Sequence, residues 1–189
     1  MDTSSQQDHQ EQVSEPQRQQ FITFTVQGYE YGIDIMSIRE IKGWTETTSL
    51  PNSPHYMRGV INLRGTVVPI MDLRSRFGMG DTDAKKNHVV MIVTIGVRLM
   101  GILVDAVSDI LTVETSAIRS VPEVDGSHHG DILKGLVSLE NRMVGLLILE
   151  GLFDQSVSVS QRGGAHIENF FEETLGASIN SEEEERQFA

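Results

Sequence analysis

Short apolar runs broken by glycine recur along this chain. Phe24 and Val26 alternate with Thr23 and Thr25, Gln27-Gly28 interrupts, and Tyr29 to Ile35 alternates again. Two such runs across a short polar break predict a β-hairpin. Ile38 and Ile41 stand three apart with Arg39 and Glu40 between them, so a short helix is expected over Met36 to Ile41, ended by Gly43. Thr-rich Trp44 to Leu50 reads as extended, and Pro51-Asn52-Ser53-Pro54 as a loop. A second hairpin follows, with Val60 to Leu63 and Val67 to Met71 on either side of Arg64-Gly65. Pro69 has no N–H for a ladder, which places its strand at an edge or a bulge. Asp72 to Phe77 reads as one or two helical turns with Leu73 and Phe77 on one face.

After the polar stretch GMGDTDAKKN (78–87) the plan repeats: a strand over His88 to Ile95, a turn at Gly96, and a strand over Arg98 to Val104. YGIDIMSIREI (31–41) lies on MGILVDAVSDI (100–110), pairing Gly32 with Gly101 and Glu40 with Asp109. GVINLRGTVVPIMDLRSRF (59–77) lies on GLVSLENRMVGLLILEGLF (135–153), pairing Gly59 with Gly135 and Phe77 with Phe153. The offset grows from 69 to 76 residues, so the second copy carries an insertion within Leu111 to Lys134, where the polar loop Pro122 to Asp131 lies. At the hairpin tip Gly65 falls on Asn141, the two residue types that most readily take positive φ. Arg64 falls on Glu140, so the exposed tip changes charge between the copies. Short Val- and Ile-rich runs between glycines predict an all-β chain. The expectation is two tandem small barrels, about residues 20–78 and 88–154, each with four or five strands and a short terminal helix. Closure removes the sheet edges that aggregate.

Both ends are polar. Residues 1–19 are rich in Gln, Ser, Glu and Asp and are expected to be a disordered tail. Residues 156–189 form an acidic extension in which Ile167, Phe170, Phe171 and Leu175 share one face of a candidate amphipathic helix, 166–175. The net charge of −12 falls mostly on these ends, leaving −4 for residues 21–154 from twelve basic and sixteen acidic side chains. An acidic chain with no basic stripe argues against nucleic acid. With no cysteine there is no disulfide framework, thiolate metal site or thiol nucleophile. The N-terminus lacks a signal-peptide core, and the longest apolar run, Val89 to Ile95, is too short to span or insert in a bilayer. The reading is of a soluble, cytoplasmic protein.

Candidate chemistry is sparse. No phosphate-binding glycine loop, GxSxG or cofactor motif is present, and the adjacent His128 and His129 make a poor metal pair in a Gly- and Asp-rich loop. Asp105 and Asp109 flank a strand-to-helix bend, where capping is the common role; an acid–base pair around Asp105 in a groove between the halves is the enzymatic alternative. Two surface features stand out. Arg64 at its tip has the geometry for a bidentate contact, to a partner carboxylate or to Glu40. Ile38, Val60 and Val104 are candidates to line an inter-barrel groove suited to an amphipathic helix.

FTVQGYEYGIDIMSIREIKGW, GVINLRGTVVPIMDLRSRFG and GILVDAVSDIL together resemble the CheW family of bacterial chemotaxis coupling proteins, over about residues 20–155. The same module occurs in the kinase CheA and in CheV, but 189 residues leave no room for a kinase or receiver domain beside it. The resemblance implies two intertwined, SH3-like, five-stranded β-barrels acting as a scaffold without catalytic function, metal or cofactor. Its implied partners are the cytoplasmic tip of methyl-accepting chemoreceptors, the CheA regulatory domain, and other CheW-like modules in rings, in a flagellar or another chemosensory array. It assigns receptor binding to Ile38, Glu40, Arg58, Gly59, Asn62, Arg64 and Gly65, and through the groove to Val104.

Overall fold

The first hairpin forms where alternation placed it. β1 (Arg18–Val26) and β2 (Tyr29–Asp34) pair antiparallel around Gln27 and Gly28, both at positive φ (52° and 84°). A two-residue turn of that kind matches the right-handed twist of its strands. β1 begins at Arg18, ahead of the expected start of order at Gln20, because Arg18 pairs with Glu114. The computed structural model describes residues 17–121, 131–140 and 142–153. Residues 1–16, 122–130, 141 and 154–189 lie outside the described residues, and with them most of the polar loop expected from Pro122 to Asp131 and the candidate helix 166–175.

The helix expected over Met36 to Ile41 is a strand. The Asp34 carboxylate accepts from the Met36 amide at 2.9 Å and supports a single 3-10 turn, Ile35–Ser37; Ile38 is then extended (φ −78°, ψ 126°). β3 (Ile38–Gly43) runs on as a partner for β6 (Val89–Ile95). Sheet pairing overrides the local three-residue spacing, so Ile38 packs on the core while Ile41 is 41% exposed.

The second hairpin is β4 (Met57–Leu63) and β5 (Thr66–Asp72), closed by α1 (Leu73–Arg76). β7 (Arg98–Val104), β8 (Ala106–Glu114), β9 (Leu133–Leu139), β10 (Arg142–Leu147) and α2 (Leu149–Phe153) complete the described elements. β5 is an interior strand, not an edge: it lies between β4 and β7. Pro69 fits there because the parallel ladder to β7 starts one residue later, at Ile70↔Gly101.

The strands form two mixed sheets, in the orders β8-β1-β2-β10-β9 and β3-β6-β7-β5-β4. Each sheet takes two strands from one sequence copy and three from the other. The exchange is symmetric. The parallel contact Ile70↔Gly101 becomes Leu146↔Gly32 when the copies are interchanged, and the bridge Thr48↔Val60 becomes Arg119↔Leu136. The landmark glycines serve this crossing. A Cβ on Gly59 would lie 2.2 Å from the Thr48 carbonyl oxygen, and one on Gly135 2.7 Å from that of Arg119.

The expected closed barrels are not formed. Neither β8 with β9 nor β3 with β4 shares a ladder; the chain leaving β3 or β8 touches the far edge strand at a single bridge. Each copy divides its strands between two sheets instead of closing on itself, so the architecture is two open five-stranded sheets. One buried cluster draws residues from both sheets, and each sheet has a smaller cluster of its own. Phe24, Tyr31, Phe77, Met91, Ile102, Leu149 and Leu152 are all buried within the shared cluster, with Tyr31 and Phe77 ring centroids 5.1 Å apart. Buried Arg76 of α1 crosses between the copies, donating through Nε to the Leu152 carbonyl at 2.8 Å and lying 5.0 Å over the Tyr56 ring.

Candidate functional site

The β4–β5 turn is built at some local cost. Gly65 has φ 88°, and Arg64 itself has φ 52°. Left-handed backbone at a non-glycine residue costs roughly 1–2 kcal/mol, and persists where surrounding contacts hold it. Here two contacts do so. Asn62 Oδ1 accepts from the Gly65 amide at 2.7 Å, and Arg64 Nη2 lies 3.1 Å from Glu40 Oε2. Glu40 stands on β3, the opposite edge of the same sheet, so the pair spans the gap that no ladder closes.

The Arg64 side chain is 82% exposed and that of Glu40 26%. An ion pair this open contributes only about 0–1 kcal/mol. Its effect is orientation: the carboxylate fixes one side of the guanidinium, and the remaining N–H donors face solvent in a planar fork suited to a carboxylate or carbonyl. Arg64 therefore pairs with Glu40 and is still open to a partner. The second copy has no counterpart, because Glu140 and Asp109 occupy the aligned positions and both are acidic and exposed.

Of the residues picked out by sequence, Glu40, Asn62, Arg64 and Gly65 converge on this tip. Ile38 stands two positions before Glu40 on the same strand, half-buried against the core. Arg58 and Gly59 lie further down β4 with folding roles. Arg58 Nη1 is 3.7 Å from Asp72 Oδ2, its guanidinium is 5.8 Å from the Trp44 ring centroid, and its carbonyl accepts from Thr47 Oγ1. Asp72 is fully buried and also accepts from Ser75 N, Thr82 N and Thr82 Oγ1. Val104 is a core residue, 1% exposed, and presents no surface.

Asp105, centre of the enzymatic alternative, accepts from the Gln27 amide at 2.6 Å and lies 3.9 Å from His88 Nε2, bracing the β1–β2 turn. Among the described residues, no group of three or more His, Cys, Asp or Glu side chains is placed to hold a metal ion.

The structure also holds a groove of about 650 Å³ that the sequence reading missed. Its walls are the loop before β4, the outer part of β5, the β6–β7 turn and Phe153 of α2; Ile38, Val60 and Val104 are not among its lining residues. The legible signal was Val97, an apolar residue at a hairpin tip, which is fully exposed.

Comparison with known proteins gives a consistent match. The model of the CheW-like domain family matches residues 20–157. The chain is 43% identical over 139 residues to a "Probable chemotaxis protein CheW" of Rhizobium etli, covering 74% of this chain and 90% of that relative. It is 41% identical over 134 residues to the chemotaxis protein CheW of Klebsiella aerogenes, covering 71% and 81%. Among solved structures it is similar to the scaffolding protein TtCheW of Thermoanaerobacter tengcongensis, with a TM-score of 0.68 and 27% identity, covering 76% of this chain and 98% of that one.

Proposed function

The chain belongs to the CheW-like family of cytoplasmic, non-catalytic chemotaxis scaffolds, and on that premise we propose that its Glu40–Arg64 tip is where it engages a chemoreceptor. CheW proteins bind chemoreceptors and CheA. The supporting observation is the strained, braced and 82% exposed Arg64, held in place by two contacts whose own stabilisation is small. Ile38, Asn62 and Gly65 shape the platform; Arg58, Gly59 and Val104 act through the fold beneath it. The receptor tip is the partner expected at this turn. The CheA regulatory domain takes other surfaces, and further CheW-like modules complete rings in the array. Residues 20–155 act as the working module, with residues 1–19 and 156–189 appended to it.

No helix among the described residues is long and apolar enough to cross a membrane. The test is a pull-down of the full chain with a receptor cytoplasmic fragment and, separately, with the CheA regulatory domain. Retention by both is expected; failure with either overturns the reading.

A further inference from the structure

The groove beside Phe153 has no role in the reading above. Leu50 (44% exposed), Val67 (65%) and Val97 (100%) are three of its lining residues, with Pro69, Leu99 and Met100 between them. Scattered exposed apolar side chains need no explanation, but a concave cluster of them marks a binding surface. Among the described residues that line it, one side chain is charged, the cation Arg98.

We propose that the occupant is this chain's own C-terminal segment, residues 166–175, docked in cis. The described chain ends at Phe153, which itself forms part of the groove wall. Twelve residues, 154–165, separate it from His166. Fully extended they reach at most ~40 Å, while a ten-residue helix is only about 15 Å long. The segment HIENFFEETL carries Ile167, Phe170, Phe171 and Leu175 at helical spacing, the anchor pattern by which an amphipathic helix lies in an apolar groove. The segment carries Glu168, Glu172 and Glu173 and no Lys or Arg, so its charge is opposite in sign to that of Arg98, and the described residues that line the groove include no acidic side chain to repel it. A tether of this length gives an effective concentration in the millimolar range, so weak contacts suffice for occupancy.

A second copy of the chain, or another protein, is the competing occupant, and cross-linking separates them. The full chain is made with a photo-reactive benzoylphenylalanine in place of Val97, a fully exposed position whose replacement leaves the core untouched. The expected product after irradiation of the purified chain is an internal link to residues 166–175, in a yield unchanged by dilution. Phe170→Glu with Phe171→Glu removes two large anchors and lowers that yield about tenfold or more, as does Ile167→Glu with Leu175→Glu. Links between two chains, links to any other segment, no links at all, or a yield that both double variants leave unchanged overturn the proposal. Neither receptor nor CheA is present, so this outcome is independent of the scaffold reading.

Discussion

Arg64 Nη2 and Glu40 Oε2 meet at 3.1 Å across the unpaired edges of one sheet, one from the turn after β4 and the other from β3. The contact joins residues 24 positions apart in sequence, at the end of the sheet where no ladder reaches. In the other sheet the aligned residues are Glu140 and Asp109, so the same bridge is impossible there. The two halves share a backbone plan and differ in what their tips present.

Replacing Arg64 with Ala is expected to leave the fold in place, with a stability change of about 0.5 kcal/mol or less. Urea denaturation followed by circular dichroism measures this. Arg64→Glu sets two carboxylates against each other, and pairing it with Glu40→Arg is expected to recover the lost increment. A loss well above about 1 kcal/mol in the Ala variant would make the pair structural.

The glycines rank by geometry. Gly59→Ala drives a Cβ into the Thr48 carbonyl at a φ of 123°, and a loss above about 2 kcal/mol is expected. Gly65→Ala meets nothing within 4 Å, so only the cost of its positive φ remains, about 1 kcal/mol. Denaturant midpoints that reverse this order contradict the crossing of Thr48 over β4.

Asp72 is the deeper member of its ion pair. Asp72→Ala strands the buried Ser75 and Thr82 donors and should cost about 3 kcal/mol or more. Arg58→Ala removes one distant partner and leaves the carboxylate its other donors, so a smaller loss is expected in the same experiment. Comparable losses would mean that Arg58, not the amides and hydroxyl, holds the carboxylate.

Asn62 acts through the turn. Asn62→Ala frees the Gly65 amide, whose hydrogen exchange should quicken; Asn62→Asp keeps the acceptor and should keep the protection. Equal exchange in all three proteins contradicts the brace.

Much of the fold was legible because alternation and glycine spacing carry strand and turn information directly. Phe24 and Val26 are buried as their pattern required, and the Gly32/Gly101 and Gly59/Gly135 landmarks mark equivalent crossings. Closure was not legible. It depends on how strands from different copies pair, and Ile70↔Gly101 joins positions that no local pattern connects. For the same reason β3 was misread as helix: its partner β6 lies beyond two hairpin strands, a loop and a helix turn. Of the candidate site, Arg64 stood out as a charge at a tip with no core to serve. Val104 did not declare its burial, because an aliphatic residue reads alike in a core and in a groove.

The most direct test of the central claim is a paired titration of wild-type chain and Arg64→Ala against a chemoreceptor cytoplasmic fragment and against the CheA regulatory domain. With the fold verified by circular dichroism, receptor affinity is predicted to fall about tenfold or more while CheA affinity stays the same. Unchanged receptor affinity in a folded Arg64→Ala chain would contradict the assignment of the tip.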